Sequence, residues 1–266
     1  MRQHFIENGW VVIDLNSKDF DTLASDIIEG VAPRYEGTKR VIDAWKSCAS
    51  VKRLAEDARV LEALHTLYQN DPRPFQTLNF PVGTNQPAHS DCIHFSADPP
   101  EKMAGVWVAL EDTDQYNGAL YVCPGSHRLP VYQMQDFGLR SQYEDYPLYE
   151  KAIERIIREN GFAKHPLYLK KGQAVIWSAN LLHGGSEILD PGRTRHSQAT
   201  HYFFKGCKSF YRPMLSDLKN GRISDHPSPG FSWLDRLYAP ASKFKRAVKH
   251  SMRGKIASLI QKLIPS

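Results

Sequence analysis

Residues 105–127 read GVWVALEDTDQYNGALYVCPGSH, and strand signals alternate with turn signals along them. Gly105–Leu110 and Ala119–Val122 are short runs rich in β-branched, aromatic and aliphatic residues. The stretches NGA and CPGSH contain the Gly, Pro, Asn and Ser residues that favour turns. Short strands separated by such turns are typical of a β-sandwich or a β-barrel.

The same pattern continues on both sides of this stretch. Turn-forming sequences such as PVGTNQP, ADPP and KKGQ separate further β-rich runs. These runs are Pro74–Phe80, His89–Phe95, Leu167–Leu169, Ala174–Trp177 and Thr200–Phe204. Leu148–Glu159 interrupts them as a predicted helical insert. The centre of the chain is therefore predicted to be an antiparallel, barrel-like β core.

The first part of the chain has a different periodicity. Apolar residues recur at helical spacing in Asp19–Val31 and in Val51–Tyr68, and Trp10–Leu15 is the one early strand. We therefore predict an α+β fold in which N-terminal helices, within residues 1–70, pack on a β core that covers roughly residues 71–205. A single domain is expected to span residues 1–240, because no linker divides this range.

The composition is that of an ordinary globular protein. The chain has 266 residues, of which 41% are hydrophobic and 24% are charged, so one domain can bury a large core. We find neither a signal-peptide pattern nor an apolar run of about 18 residues, and a cytoplasmic location is expected. Four cysteines lie far apart without a CxxC pair, which argues against a disulfide framework or a structural zinc site.

The sequence PAHSDCIHF at residues 87–95 places His89 and Asp91 two positions apart. On a strand, side chains at this spacing point to the same face, so both can reach one metal ion. His183, which follows the predicted strand Ala174–Trp177, is the best candidate for a third ligand. Two histidines and one carboxylate on one face of an octahedral iron leave three positions open, as in non-haem iron oxygenases.

Other interpretations of these residues remain open at this point. A His-x-Asp triplet also occurs by chance, and a single histidine is more often a surface or core residue than a ligand. By residue type, His94, His127 and His201 are rival ligands. The sequence PGSH around His127 is, however, predicted to be a structural turn.

Eight short motifs accompany the triplet between about Phe5 and Phe204. They are FIENGWVVI, RVIDAW, FQTLNF, PAHSD, GVWVALED, NGALYVCPGSH, LLHGGSE and RHSQATHYF. In order and spacing they resemble the phytanoyl-CoA dioxygenase family of 2-oxoglutarate-dependent oxygenases. The resemblance implies a double-stranded β-helix (jelly-roll, cupin-like) fold and assigns His89, Asp91 and His183 as iron ligands. It also implies Fe(II) as the metal, with 2-oxoglutarate and O₂ as co-substrates.

The distal carboxylate of 2-oxoglutarate requires a fixed cation, and an arginine matches it with two parallel donors. The resemblance places this arginine soon after the distal histidine, where the sequence DPGRTRHSQ offers Arg193 and Arg195. Arg195 lies six residues before His201, as in the family's R-x5-H-F/Y pattern, and is preferred. Arg193 is then interpreted as a solvated turn residue.

The resemblance assigns three further residues to the co-substrate pocket. Trp107 matches a tryptophan that lines this pocket, although core packing would explain it equally well. Arg40 matches a basic residue that approaches from the N-terminal helices, although a single arginine is usually solvated. Gln76 lies where the family places polar groups beside the iron, but Thr77 and Asn79 face the other side of the same strand, so the inward face is undecided.

These residues predict a dioxygenase that hydroxylates an unactivated C–H bond of a small molecule and releases succinate and CO₂. Desaturation, epimerisation and cyclisation require the same site and stay open, as does a catalytically silent jelly-roll binding module. Asp91 argues against a halogenase. The resemblance implies that a halogenating relative would have Gly or Ala in place of this carboxylate, so that chloride could bind at the vacant position. The loops Ser126–Asn160 and Cys207–Arg236 are expected to shape the substrate pocket.

Residues 241–266 form a basic segment of their own. It carries seven Lys and Arg residues and no acid, and its apolar residues recur about every four positions. We predict a C-terminal amphipathic helix, Ala241–Ile264, that packs on protein, in a monomer or a homodimer. Peripheral contact with a membrane is the alternative, and a nucleic-acid partner is not expected because no basic, aromatic-interleaved platform is present.

Overall fold

The computed structural model describes residues 1–36, 40–98, 102–207, 209–217, 221 and 223–224. The α-helices in these ranges are Arg2–Asn8 (α1), Phe20–Val31 (α2), Ala49–Ala55 (α3), Ala58–Tyr68 (α4) and Tyr146–Glu159 (α5). The strands are Trp10–Asp14 (β1), Val41–Ile42 (β2), Pro72–Phe80 (β3), Ser96–Asp98 (β4), Met103–Ala109 (β5), Leu120–Val122 (β6), His165–Pro166 (β7), Gln173–Ser178 (β8), His183–Gly185 (β9), Ser197–Phe204 (β10) and Ser209–Tyr211 (β11).

Three antiparallel sheets contain these strands. The large sheet has the order β1-β8-β5-β10-β3-β2, a smaller sheet has the order β7-β6-β9, and β11 pairs with β4. In β5, within the large sheet, every residue is buried. Because successive side chains point to opposite faces, Val106 and Val108 join the core under the helices, whereas Trp107 and Ala109 join the core on the other face.

The N-terminal helices cover one face of the large sheet. The apolar sides of α2, α3 and α4 form a single core with that face. Buried Gln198 donates a hydrogen bond to the Val51 carbonyl at 3.0 Å, and Tyr202 donates to the Ala55 carbonyl at 2.7 Å. The predicted packing of N-terminal helices on an antiparallel β core is thus confirmed. In addition, β1 and β2 form the two edges of the large sheet, so the first 70 residues contribute to the core itself.

The smaller sheet contacts the opposite face of the large sheet. Leu120 and Val122 of β6 share a buried cluster with Trp107, Val175 and Trp177 of the large sheet. Two packed antiparallel sheets with the core between them agree with the sandwich-like arrangement predicted from the turn pattern. The space between these sheets also holds the candidate site described below.

The predicted strand His89–Phe95 is wrong. His89 forms a single antiparallel bridge with His183, and Asp91–Ile93 is a turn of 3₁₀ helix. A serine hydroxyl at the start of this turn accepts a backbone N–H, so local hydrogen bonds replace a strand ladder. His89 and Asp91 therefore approach each other through a turn, and not from one face of a strand.

Two other predictions differ from the structure in the kind or number of elements. The helical run Val51–Tyr68 is two helices, because Asp57 begins α4 by accepting a hydrogen bond from the Arg59 backbone N–H at 2.9 Å. Leu167–Leu169 is not a strand. The strand that pairs with β6 lies just before it, in β7. Its backbone bonds instead to a threonine in the loop that follows β5.

The predicted basic helix Ala241–Ile264 lies outside the described residues. Within the described ranges, no helix combines the length and the apolar character needed to cross a membrane.

Candidate metal centre and its cavity

His89, Asp91 and His183 meet in one buried cluster. Their candidate ligand atoms all lie within 4.8 Å of one another, and Asp91 Oδ1 is 3.8 Å from Nε2 of each histidine. An antiparallel backbone bridge holds the two rings side by side. The His89 backbone N–H donates to the His183 carbonyl at 3.0 Å, and the His183 backbone N–H donates to the His89 carbonyl at 3.1 Å. The structure thus brings together the three residues predicted as ligands.

Backbone carbonyls orient both imidazole rings. Nδ1 of His89 is 3.0 Å from the Pro87 carbonyl oxygen, and Nδ1 of His183 is 3.0 Å from the Leu181 carbonyl oxygen. A carbonyl oxygen can only accept, so Nδ1 carries the proton and Nε2 presents its lone pair toward Asp91. Partners of this kind fix the tautomer of histidines that bind metals.

The second carboxylate oxygen of Asp91 is held from the large sheet. Trp177 Nε1 donates to Oδ2 at 2.7 Å, and His201 Nε2 lies 3.4 Å from the same oxygen. The indole fits because the facing residue is Gly105, where a Cβ would lie 2.2 Å from the ring. Oδ1 consequently remains directed toward the two histidines.

Sequence reasoning missed this support of Asp91. The sequence predicts no role for Trp177 beside Asp91, and by residue type it offers His201 as a rival ligand. A signal was nevertheless present, because Gly105 stands in a strand of bulky residues, and a glycine there indicates that another group approaches the backbone closely.

The protonation states of the cluster suit a divalent metal. Burial and the neighbouring His183 lower the pKa of His89 to about 3. Burial alone would raise the pKa of Asp91, but the surrounding His183, His201 and His89 outweigh it and lower that pKa below its ordinary value. The neutral imidazole of His89 and the ionised carboxylate of Asp91 are in the forms that bind metal ions. A set of two imidazoles and one carboxylate fits non-haem iron.

Arg195 lies in the same cavity, whose volume is about 320 Å³. Its side chain is buried beside the Trp107 and Phe80 rings, whose centroids lie 5.1 and 5.9 Å from the guanidinium carbon. Nη2 donates to the Val82 carbonyl at 3.2 Å, but Nε has no partner among the described residues. Burial lowers the pKa of Arg195 to about 10, so it is charged at neutral pH. A buried cation with an unused donor fits a carboxylate ligand.

Arg193 has the opposite environment. Its side chain is 38% exposed, and Nη1 donates to both carboxylate oxygens of Asp114, at 2.8 and 3.0 Å. It does not belong to the residues that line the cavity. The placement of the two arginines therefore agrees with the preference for Arg195.

The three remaining predicted site residues, Gln76, Trp107 and Arg40, also line the cavity. Gln76 projects into it, whereas Thr77 and Asn79 are almost completely buried on the opposite face of β3. The inward face of this strand, which the sequence left undecided, is therefore the one that carries Gln76.

Comparison with known proteins agrees with this geometry. The sequence model of the phytanoyl-CoA dioxygenase family matches residues 15–197, which is more than half of the chain. The chain belongs to the phytanoyl-CoA dioxygenase family.

Individual members of the phytanoyl-CoA dioxygenase family are distant relatives. Peroxisomal phytanoyl-CoA dioxygenase from Bos taurus is 26% identical over 150 residues, which cover 54% of this chain and 40% of the relative. Phytanoyl-CoA dioxygenase 1 from Oryza sativa subsp. japonica is 28% identical over 128 residues, 48% of this chain and 42% of the relative. The chain thus spans about two fifths of the length of these curated relatives.

Solved structures share the fold. The non-haem α-ketoglutarate-dependent epimerase SnoN from nogalamycin biosynthesis has a TM-score of 0.60 at 17% identity and covers 87% of this chain and 90% of its own. The carbocyclase SnoK from the same biosynthesis has a TM-score of 0.63 at 15% identity, with 86% and 92% covered. EctD from S. alaskensis, solved with 2-oxoglutarate and 5-hydroxyectoine, has a TM-score of 0.57 at 19% identity, with 76% and 74% covered. This family member therefore shares the mixed, cupin-like fold of these three structures.

The motif PGSH forms a turn, as predicted. Gly125 adopts a φ of 82°, and the Ser126 hydroxyl accepts a hydrogen bond from the Leu182 backbone N–H at 2.9 Å. Because Leu182 immediately precedes His183, the turn supports the strand that carries this candidate ligand.

The remaining rival histidines lie outside the three-donor cluster. Nε2 of His127 is 3.1 Å from the Ile6 carbonyl oxygen, and His127 does not line the cavity. His94 does line it, but its Nε2 is 3.1 Å from the Tyr146 hydroxyl.

Proposed function

We propose that this protein is an Fe(II)- and 2-oxoglutarate-dependent dioxygenase. His89, Asp91 and His183 would hold the metal, and Arg195 would hold the distal carboxylate of 2-oxoglutarate. The observation that carries the proposal is that a buried three-donor cluster and a buried arginine with an unused donor line one cavity. Membership of the phytanoyl-CoA dioxygenase family supports it, as does a fold shared with structures solved with Fe or 2-oxoglutarate.

When bound, the metal supplies oxidation of a C–H bond by O₂, coupled to conversion of 2-oxoglutarate to succinate and CO₂. The residues of the chain act by positioning. The Nε2 atoms of His89 and His183 and the Oδ1 atom of Asp91 are three donors, and they leave coordination positions for small ligands. Trp177 and His201 hold the other oxygen of Asp91, so the carboxylate keeps one orientation.

Arg195 would orient the co-substrate at the other end. Its guanidinium is fixed by the Val82 carbonyl and by the rings of Trp107 and Phe80. Burial excludes water from this charge and so strengthens its attraction for a carboxylate. Gln76 supplies a polar group on the wall of the same cavity, and we assign it, with Trp107 and Arg40, to contacts with the co-substrate.

The reaction that we favour is hydroxylation of an unactivated C–H bond in a small molecule. Epimerisation and cyclisation are the second candidate, because an epimerase and a carbocyclase share this fold. The mass of the product distinguishes them. Hydroxylation adds one oxygen atom, cyclisation or desaturation removes two hydrogen atoms, and epimerisation leaves the mass unchanged.

A first test measures iron content and succinate release. The protein supplied with Fe(II), 2-oxoglutarate and O₂ should bind one iron and release succinate, which a silent binding module would not do. The His183→Ala variant should lose most of its iron content and most of its succinate release, because one of the three metal ligands is missing. The matched control is His65→Ala, which removes a histidine with a 58% exposed side chain and should leave both unchanged. Normal iron content and turnover in His183→Ala would contradict the assignment.

A further inference from the structure

Besides Arg195 and Arg40, a third arginine, Arg212, lines the cavity. Arg195 lies just before the start of β10. Arg212 follows β11, where Phe210 packs against Phe203 near the other end of β10, with ring centroids 4.1 Å apart. A strand of this length spans roughly 20 Å between Ser197 and Phe203. The two arginines therefore approach the cavity from opposite ends of β10.

The guanidinium of Arg212 is only partly satisfied. Nη2 donates to the Ser224 hydroxyl at 3.1 Å, and the Arg212 backbone N–H donates to the Ser224 carbonyl at 2.8 Å. Nε is buried and has no acceptor among the residues that the structure describes. A buried donor without an acceptor is unfavourable, and a bound ligand would remove this penalty. Arg195 has the same unused Nε, so two of the arginines that line the cavity each have a buried donor without an acceptor among the described residues.

The charges around the cavity also favour a second anion. Of the described residues that line it, Asp91 is the one acid. With Fe(II) and 2-oxoglutarate bound, the charges of the metal, Asp91, the dicarboxylate and Arg195 cancel. The described residues that line the cavity then have more positive than negative charge, because Arg40 and Arg212 remain.

We propose that Arg212 binds an anionic group, a carboxylate or a phosphate, on the primary substrate. The inference rests on the proposed function, because 2-oxoglutarate must occupy Arg195 for Arg212 to be left to the substrate. Both anions match the planar fork of an arginine. Phe95, Met214 and Leu215 line the cavity as well, so the body of the substrate is apolar. The substrate class is therefore a small organic anion with a hydrocarbon portion.

The test uses three probes that share a six-carbon chain: hexanoate, hexyl phosphate and hexan-1-ol. The full chain is loaded with Fe(II) and saturating 2-oxoglutarate under nitrogen, and each probe is titrated in by calorimetry. We expect at least one anion to bind more tightly than hexan-1-ol. Arg212→Gln should weaken the binding of that anion by roughly ten- to a hundredfold. The affinity of Arg212→Lys should lie between those of the wild type and Arg212→Gln, since lysine keeps the charge but loses the two parallel donors of the guanidinium.

Two controls make the result specific to Arg212. Arg193→Gln removes an exposed arginine that pairs with Asp114 and should change nothing. The affinity of Arg212→Gln for 2-oxoglutarate should equal that of the wild type, which also shows that the variant is folded. A preference between hexanoate and hexyl phosphate identifies the class of anion.

Two results would overturn the proposal. One is equal binding of the anions and hexan-1-ol by the wild type, and the other is unchanged anion affinity in Arg212→Gln. Failure of the proposed function is a separate observation, namely a wild type that binds neither Fe(II) nor 2-oxoglutarate. In that case the same titrations on the metal-free protein decide the role of Arg212 by themselves.

Discussion

Arg193 and Arg195 are two positions apart in the chain, yet Arg195 is buried, whereas Arg193 is partly exposed and forms an ion pair with Asp114. We predict that Arg195→Gln raises the 2-oxoglutarate concentration needed for half-maximal succinate release by more than tenfold. Removing one partner of a buried charge pair is unfavourable by about 2–5 kcal/mol. Arg193→Gln serves as the matched control and should have little effect, because its ion pair with Asp114 is at the surface. The reverse result would make Arg193 the residue that binds the co-substrate.

Two histidines in the cavity are kept neutral by their surroundings. Burial is the main cause that lowers the pKa of His89 to about 3 and that of His94 to about 4, from an ordinary value of 6.5. Between these values and pH 6.5 the unfolded chain binds protons on both residues, whereas the folded protein does not. The free energy of unfolding should therefore decrease as the pH falls below about 6.5.

The measurement for this prediction is the melting temperature of the metal-free protein between pH 7.5 and 4.5. It should decrease toward acidic pH, and His94→Gln should show a shallower decrease, because one of the two titrating groups is gone. A melting temperature that does not change over this range would show that the two histidines are not held neutral.

At the scale of elements, the antiparallel pairing of β5 with β8 places Gly105 opposite Trp177 and so sets the orientation of Asp91. A Cβ on Gly105 would lie 2.2 Å from the Trp177 ring, which donates to Asp91. We predict that Gly105→Ala destabilises the protein by about 1–3 kcal/mol, as overpacking of a core does. It should also weaken metal binding, because the displaced indole no longer holds the carboxylate.

Denaturant unfolding and iron titration test this prediction together. Gly192→Ala is the control, because the atom nearest to its Cβ would be the carboxylate of the exposed Asp190, at 3.3 Å. A Gly105→Ala variant with wild-type stability and iron affinity would show that Trp177 does not position Asp91.

At the same scale, the predicted elements agree with the structure where a regular pattern of apolar residues covers the whole element. The predicted helix Asp19–Val31 is α2, and the predicted strand Ala174–Trp177 is β8 with one further residue at each end. His89–Phe95 was wrong because its residue types suit a strand, while the serine within it favours a local turn. Short segments of this kind are decided by the neighbours to which they bond, and the neighbour here is β9.

For the molecule as a whole, the basic segment at residues 241–266 carries a prediction from the sequence. We expect its apolar stripe to pack on protein, because each large apolar side chain left in water forgoes about 1.5–3 kcal/mol. Deletion of residues 241–266 should therefore lower the melting temperature, and the full chain should bind anionic liposomes only weakly. As a control that preserves the charge, Phe244→Ser combined with Met252→Ser should lower the melting temperature as the deletion does. Salt-sensitive liposome binding, together with an unchanged melting temperature after deletion, would favour the membrane alternative.

Residue types and their spacing predicted the α+β architecture and the candidate ligands His89, Asp91 and His183, and the family resemblance predicted Arg195 as the residue that binds 2-oxoglutarate. These features leave a signal in the sequence, because hydrophobic periodicity follows secondary structure and few residue types bind iron or a carboxylate. Only the tertiary structure decided that Gln76 faces inward, that Trp177 and His201 hold Asp91, and that Arg212 shares the cavity. These relations depend on strand register and on contacts between residues far apart in the chain, where a shift of one position turns a side chain to the opposite face.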